Sequence, residues 1–399
     1  MKVALPHLIH LEALGRSRRE AEAFFATFFL TSMSTYMAIV FVPLYALKYT
    51  GDLSLIALLA TSYYVAFTAS LPLCSRLSDR TGAYSAITMA GAALTALTCL
   101  AIPALTDYWQ LLAVRGLQGV AWAFIAPMGA AMASMTTTKA LRGRAVSVYN
   151  LSVSLGYLAG SIVGGLVSEA MGIDSAFILG GLASAAACIL AFKRLKGWRQ
   201  GPPPSEGARG GVGAFRVGRS RAVYVCFALR NVGATGIWAL FPIYLAYLGA
   251  SELWIGVIYM VNLASQSLLM SYVGSLTDRL GRKPIMLLGL FGSSAVFALY
   301  GLAQSYLWII PVHVLLGLSW SSLMTASAAY IGDEAPEDAQ ATMMGLLFMV
   351  TGLAWIAGSS MASGLVKLVG LRGYMFVASA LSAIGGLYGI VGLKETIKR

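Results

Sequence analysis

The sequence predicts an all-α membrane protein whose twelve transmembrane helices form two pseudo-symmetric six-helix bundles. Three observations lead there. Of 399 residues, 58% are hydrophobic and 11% charged, where a soluble chain carries roughly 25% charged residues. Apolar runs of the roughly 20 residues needed to cross hydrocarbon recur along the whole chain. The second half also repeats landmarks of the first at a nearly constant offset of 198 or 199 residues.

The apolar runs lie at 22–47, 53–77, 83–105, 108–136, 145–171, 175–193, 222–248, 252–276, 284–305, 307–331, 341–368 and 373–393. Residues 1–21 precede them as a cytoplasmic segment. Pro6, His7, His10 and Glu12 interrupt its apolar stretch, and Arg16, Arg18 and Arg19 follow, which is not the pattern of a cleaved signal peptide. Residues 22–193 make the first bundle and 222–399 the second. Between spans six and seven, residues 193–221 carry eight Lys or Arg, one acid and three successive prolines. Such a composition cannot bury enough apolar surface to fold, so 194–221 is expected to be a flexible cytoplasmic linker.

The net charge of +12 reports topology. With both termini inside, cytoplasmic segments hold 23 of the 28 Lys and Arg, and the outer loops only Lys48, Lys367 and Arg372. That is the positive-inside asymmetry of a multi-pass protein of the plasma or inner membrane, and it removes the argument for a nucleic-acid partner. Cys74, Cys99, Cys188 and Cys226 lie in or beside apolar runs without metal-ligand or CxxC spacing and read as inert thiols. There is no Gly-Lys dipeptide and no HExxH. The reading therefore assigns no nucleotide loop, metal, cofactor or enzymatic activity.

The repeat is visible residue by residue. Leu158–Ser161 matches Ile356–Ser359, and Gly119, Trp122 and Gly172 map onto Gly317, Trp320 and Gly370. Pro43 and Tyr45 recur as Pro242 and Tyr244. The phrase Leu-(Ser/Thr)-Asp-Arg-x-Gly stands at Leu77–Gly82 and again at Leu276–Gly281. Duplicated halves are common in secondary transporters.

Gly274, Leu276, Asp278, Arg279, Gly281, Arg282 and Lys283 fit, without a gap, the loop motif of the major facilitator superfamily, which the chain resembles over nearly its whole length. The first-half copy departs from it: Ser75 replaces the leading glycine, and Ala83 and Tyr84 the trailing bases. Leu111, Arg115, Gln118, Gly119 and Ala121 look like the family's second motif. Gly156, Gly160, Gly164 and Gly165 are similar to the fifth-span motif of its drug/proton antiporters, with Ser161 in place of the usual proline. The resemblance implies an alternating-access secondary transporter of a small organic solute. Efflux of drug-like or amphipathic compounds is the leading reading, uptake or exchange of an organic anion by a uniporter or proton-coupled symporter the alternative, and a non-transporting membrane receptor the remaining class.

The charged phrase has two readings. As structure, Gly82 and Gly281 supply chain reversals, and Arg279, Arg282 and Lys283 sit at a helix C-terminus facing anionic headgroups. The resemblance implies a second role, in which the loop aspartates latch the cytoplasmic side. By the pseudo-symmetry Asp278 would meet Arg142 or Arg144, and Arg80 or Arg76, beside Asp79, would meet Glu337 or Asp338.

Ionisable groups inside a membrane are costly and default to functional candidates. Three qualify, Arg115, Arg230 and His313, the last being the duplicate of Arg115. In the family, spans one, four, seven and ten line the central cavity. Against a substrate role stand helix-tying for Arg115, snorkelling for Arg230 and a hydrogen-bonded core position for His313. Tyr36, Gln118, Trp122, Asn150, Asn231, Trp238, Asn262, Gln266, Trp320 and Trp355 are further candidates, each with helix packing as the plain reading. All sixteen Asp and Glu fall in loops, terminal segments or near span ends, which disfavours a lipophilic cation as substrate. The expected partners are a small-molecule substrate, membrane lipids and, through His313, protons; the expected assembly is a monomer.

Overall fold

The computed structural model describes residues 11–135, 137, 141–196, 198, 220–335 and 340–396. Most of the expected linker, together with Lys139, Glu337 and Asp338, lies outside the described residues. Eleven long helices follow a short 3-10 turn at Leu11–Leu14: α1 Arg18–Ala46, α2 Leu53–Thr81, α3 Tyr84–Ala101, α4 Tyr108–Met135, α5 Arg142–Met171, α6 Ile173–Arg194, α7 Arg221–Tyr247, α8 Glu252–Leu280, α9 Arg282–Leu302, α10 Tyr306–Glu334 and α11 Gln340–Gly392. α11 breaks at Gly370, whose φ of 69° leaves the helical region. It therefore supplies two spans and brings the number to the twelve expected. Gly172, the first-half counterpart of Gly370, has φ 86° and separates α5 from α6. Both positions need a residue without Cβ.

The charged phrases are more helical than their composition suggests. α2 runs through Asp79 to Thr81, and α8 through Asp278 to Leu280. The gaps between the apolar runs there, 78–82 and 277–283, shrink to connections of Gly82–Ala83 and of Gly281 alone, with φ 62° at Gly82 and 108° at Gly281. A helix that leaves hydrocarbon has no reason to stop at the last apolar residue, because water and headgroups satisfy its carbonyls. Arg142 and Arg144 likewise fall in the first turn of α5.

Two compact units result, one of Met1–Val42 and Val65–Gly211, the other of Pro43–Tyr64 and Val212–Arg399. The same close approaches recur in each. A Cβ at Gly160 of α5 would run into the Met33 carbonyl of α1, and a Cβ at Gly358 of α11 into the Val232 carbonyl of α7. Ser184 Oγ of α6 donates to the Ala92 carbonyl of α3 at 2.8 Å, and Ser382 Oγ to the Leu290 carbonyl of α9 at 2.8 Å. Small residues let helices approach, and hydroxyls bridge them, where no hydrophobic force separates protein from solvent. Outward, Leu268, Leu368 and Val391 are 78%, 80% and 85% exposed, an apolar surface suited to acyl chains. The four cysteines are free.

Gly160→Val and Gly358→Val are each expected to destabilise their own bundle by about 1–3 kcal/mol through overpacking. A lowered thermal unfolding midpoint in detergent checks this. Gly364→Val, where a Cβ meets nothing within 4 Å, is the control expected to leave that midpoint unchanged.

Candidate functional site

In the first unit, Arg115 is one helical turn from Gln118 on α4, and both are buried. Arg115 Nη1 donates to Gln118 Oε1 at 2.7 Å. Gln118 Nε2 reaches Cys99 Sγ of α3 at 3.7 Å, which in turn contacts Ser34 Oγ of α1 at 3.6 Å. A chain of neutral dipoles thus runs from the guanidinium to α1, and Gln118 fixes one edge of its fork. Beside it runs an aromatic ladder across α1, α5 and α4. Tyr36 stacks on Tyr157 with centroids 4.7 Å apart, and Trp122 approaches the same ring at 5.9 Å. All three rings are only half-buried. Asn150 is exposed on α5 and joins neither group.

The second unit holds Arg230, Asn231 and Trp238 on α7, Asn262 and Gln266 on α8, and His313 and Trp320 on α10. Arg230 is buried, donates from Nε to Ser293 Oγ at 3.2 Å, and lies over Trp320 at 4.7 Å and Phe297 at 5.5 Å. Among the described residues no carboxylate forms an ion pair with it. Aromatic faces and one hydroxyl carry the load, an arrangement in which cation–π attraction gains from desolvation.

His313 is fully buried in a box of rings. Phe241 stacks on it at 5.2 Å, and Trp238 meets it edge-on at 6.0 Å. Its Nδ1 pairs with the Tyr300 hydroxyl at 2.8 Å, while Nε2 has no hydrogen-bond partner among the described residues. Gln266 Nε2 donates to Asn262 Oδ1 at 2.6 Å, leaving Asn262 Nδ2 without a partner. Asn231 is turned back on its own helix, donating to the Phe227 carbonyl at 2.8 Å. The structure therefore gathers Arg115 with Gln118, Tyr36 with Trp122, Arg230 with Trp320, His313 with Trp238, and Asn262 with Gln266.

Several neighbours were not singled out in the sequence: Tyr157, Phe241, Ser293, Phe297 and Tyr300. Tyr157 has only an aromatic counterpart at the repeat offset, Trp355, 198 residues later. The remaining four carry no mark in one dimension.

The charged phrase of α8 and α9 is engaged within the second unit. Arg282 Nη1 donates to Asp278 Oδ1 at 2.8 Å and Nε to Asp333 Oδ2 at 2.9 Å. In the first unit Asp79 accepts from the Tyr84 hydroxyl at 2.9 Å, while Arg80, Arg142, Arg144 and Arg279 are exposed.

Also within the second unit, the start of α2 is zipped to α11 by a polar seam that the sequence reading did not anticipate. Lys367 Nζ pairs with Asp52 Oδ2 at 2.7 Å, Ser363 Oγ donates to the Ser54 carbonyl at 2.8 Å, and Thr61 Oγ1 donates to Ser359 Oγ at 3.0 Å. Tyr64 and Trp355 close the run at 5.3 Å. Position numbers fall on one partner as they rise on the other, the signature of antiparallel helices in register. Lys367 Nζ, by its hydrogen bond, holds the Asp52 carboxyl below the ordinary carboxylate range against the opposing effect of burial.

Comparison with known proteins gives this arrangement a family. The Major Facilitator Superfamily profile matches residues 24–232 and again 223–398. The Multi-drug resistance efflux pump PmrA of Streptococcus pneumoniae is 23% identical over 382 residues, 93% of this chain and 95% of that protein. Multidrug resistance protein MdtG of Proteus mirabilis is 27% identical over 161 residues, 39% of this chain and only 40% of its own length. Among solved structures, the nucleoside transporter NupG superposes with a TM-score of 0.78 at 12% identity, covering 94% of this chain and 100% of its own. A bacterial homologue of the human lysosomal transporter Spinster gives 0.78 at 13% identity, covering 95% and 98%. Matched in both halves by the family model, the chain belongs to the Major Facilitator Superfamily of membrane transporters.

Proposed function

We propose that the chain is a secondary active transporter that exports amphipathic small molecules carrying negative or zwitterionic charge, by alternating access. The observation that carries the charge preference is Arg230: a guanidinium buried among Ser293, Phe297 and Trp320 with no paired carboxylate among the described residues. A carboxylate, phosphonate or sulfonate on a substrate would supply the missing counter-charge through charge-assisted hydrogen bonds. Arg115, its fork oriented by Gln118, is the buried cation of the first half. The half-buried rings of Tyr36, Tyr157, Trp122 and Trp238 offer apolar faces for the rest of the molecule. Export is supported by the relatives, two of which are named as multidrug resistance proteins.

A second reading, uptake or exchange of an organic anion, is favoured by the absence of carboxylates deep in the spans. Direction separates the two. Purified protein in liposomes, given a panel of fluorescent anionic, zwitterionic and cationic dyes with and without an imposed pH gradient, is expected to move the first two classes. Flux of cationic dyes alone would overturn the charge preference.

In this reading the polar seam of Asp52, Ser54 and Thr61 with Ser359, Ser363 and Lys367 is the outer closure, and Asp278 with Arg142 or Arg144 the cytoplasmic latch. Protons, if they drive transport, enter at His313, whose Nε2 is the one imidazole nitrogen there without a described partner.

Three outcomes are expected. Arg115→Lys keeps the charge but loses the planar fork, so transport should fall at least about tenfold with little change in the thermal unfolding midpoint. Parent-like flux would remove Arg115 from recognition. His313→Gln should abolish the response to a pH gradient and leave exchange at equal pH intact; accumulation that still follows the gradient would exclude His313. For the seam, the sign follows from Asp52. A carboxyl held low contributes to closure at neutral pH, and that contribution is lost as external pH falls below about 4. Relative to an exposed control cysteine, whose thiolate fraction falls equally with pH, an impermeant maleimide applied outside cells should therefore label Thr61→Cys more readily at acidic pH. Adding Asp52→Asn should raise labelling at pH 7 and flatten the pH response.

A further inference from the structure

The chain emerging from the last helix does not trail away from the second unit. Leu393 is buried, and beyond it three residues, Lys394, Glu395 and Thr396, are tied to the cytoplasmic ends of α9 and α10. Glu395 is the centre of these ties. Its Oε1 accepts from the Arg282 backbone N–H at 2.9 Å and its Oε2 from that of Lys283 at 3.2 Å. These are the first two residues of α9, where amides have no partner inside the helix and the helix dipole favours an anion. The carboxylate that caps them arrives from over a hundred residues away in sequence. It fits because Gly281 has no side chain: a Cβ there would collide with the Glu395 carboxylate.

Neighbouring contacts tighten the same point. Thr396 Oγ1 donates to Asp333 Oδ2 at 2.6 Å, the oxygen that also receives Arg282 Nε. Lys283 Nζ donates to the Ile390 carbonyl at 2.8 Å, and the Lys394 N–H to the Tyr330 hydroxyl at 3.4 Å. The tail thus holds Arg282 twice, at its backbone through Glu395 and at its Asp333 partner through Thr396. Arg282 is also the residue that neutralises Asp278.

The first unit repeats the plan with different chemistry. Leu195, the counterpart of Leu393, is buried just past α6, and Trp198 donates from Nε1 to the Met132 carbonyl at 3.3 Å while stacking on Phe24 at 5.1 Å. Met132 and Tyr330 stand 198 apart. In each half the chain after the sixth helix returns to the cytoplasmic end of the fourth. In the first half an apolar ring makes this anchor, in keeping with a static contact. In the second the anchor is largely ionic and exposed, which makes it separable.

The geometry points to Glu395 as a positioning residue of the transport cycle: the C-terminal segment is a releasable clasp that holds the α8–α9 turn, and with it Arg282 on Asp278, in the conformation whose outer seam is closed. The inference rests on the gating role given to Asp278. If Asp278 must leave Arg282 to latch the cytoplasmic side, the clasp opposes that step, and weakening it favours the conformation in which the outer seam is open.

The two roles predict shifts of opposite sign, so one assay tests both. The full chain carries Thr61→Cys, and an impermeant maleimide is applied outside intact cells. Hydrogen exchange is followed at residues 282 and 283 in the purified protein. Glu395→Gln replaces an exposed charged acceptor by a neutral one of the same shape, so the fold is retained. Exchange at 282 and 283 should accelerate, and labelling at position 61 should rise by about tenfold. Thr396→Val should raise labelling by a smaller factor. Asp278→Asn, which removes the latch, should lower it. Faster exchange with unchanged labelling would make Glu395 a local helix cap and overturn the inference, as would no change in either. Unchanged labelling in Asp278→Asn alone would remove the latch while leaving the clasp standing on its own measurement.

Discussion

Hydrocarbon offers no hydrogen-bond partner, so each peptide group that crosses it must be satisfied within its own segment or by an adjacent one. Helices answer that demand for the backbone, and the same demand then governs the side chains. Thr31 and Thr35 donate to the Thr27 and Thr31 carbonyls of their own helix at 2.8 and 2.9 Å. Thr95, Thr277 and Thr351 do the same on α3, α8 and α11. The polar residues of α1, read as a stripe, resemble a binding face, but several are consumed by their own turn. What remains to hold helix to helix is close approach at glycine and a small number of inter-helix hydroxyl bonds. Gly160 with Ser184 in one unit and Gly358 with Ser382 in the other make that scaffold twice.

A charge in such a scaffold needs more than a hydroxyl. The loss of hydration around a buried guanidinium is large, and an ion pair with a carboxylate would offset it most directly. Arg230 instead meets Ser293 and two aromatic faces, and Arg115 donates to Gln118. Around Arg230, neutral partners stabilise the cation less completely than an anion would. The contrast lies at the start of α9, where Arg282 is held by Asp278 and Asp333 together.

Much of this was legible because duplication leaves a record at fixed offset. Gly172 and Gly370 mark the break inside α11, and the matched stretches Leu158–Ser161 and Ile356–Ser359 hold the glycines of the close contacts, Gly160 and Gly358. Ser184 with Ser382 and Tyr157 with Trp355 obey the same offset, but single matches of common residues do not stand out from chance. Helix ends were misread at the charged phrases, since composition marks the edge of hydrocarbon and not the end of the helix. Ser293 and Tyr300 were invisible because their importance comes from the residues they face on other helices, Arg230 and His313, which no periodicity along α9 reveals. Glu395 was hidden for a related reason: an acid near a basic C-terminus looks like solvated charge until α9 is seen to begin beside it.

The seam between the start of α2 and α11 shows how such contacts can be firm and yet reversible. Its outer end is an ion pair in which the Lys367 side chain is 61% exposed, so solvent screens it and hydrates both charges when they part. Its middle is made of hydroxyls, Ser363 on the Ser54 carbonyl and Thr61 on Ser359. Ser359 already donates to carbonyls of its own helix, to Trp355 at 2.9 Å and Ile356 at 3.1 Å. When Thr61 withdraws, Ser359 keeps those bonds, and Thr61 can turn to its own helix backbone, as Thr31 and Thr35 do. Parting the seam therefore strands no buried polar group, which is the step that would otherwise cost most. Specificity of register comes from several such contacts in sequence, while each of them separates at small cost. In the transport cycle proposed above, a closure of this kind combines specificity with release, which a continuous apolar interface of the same length would not provide.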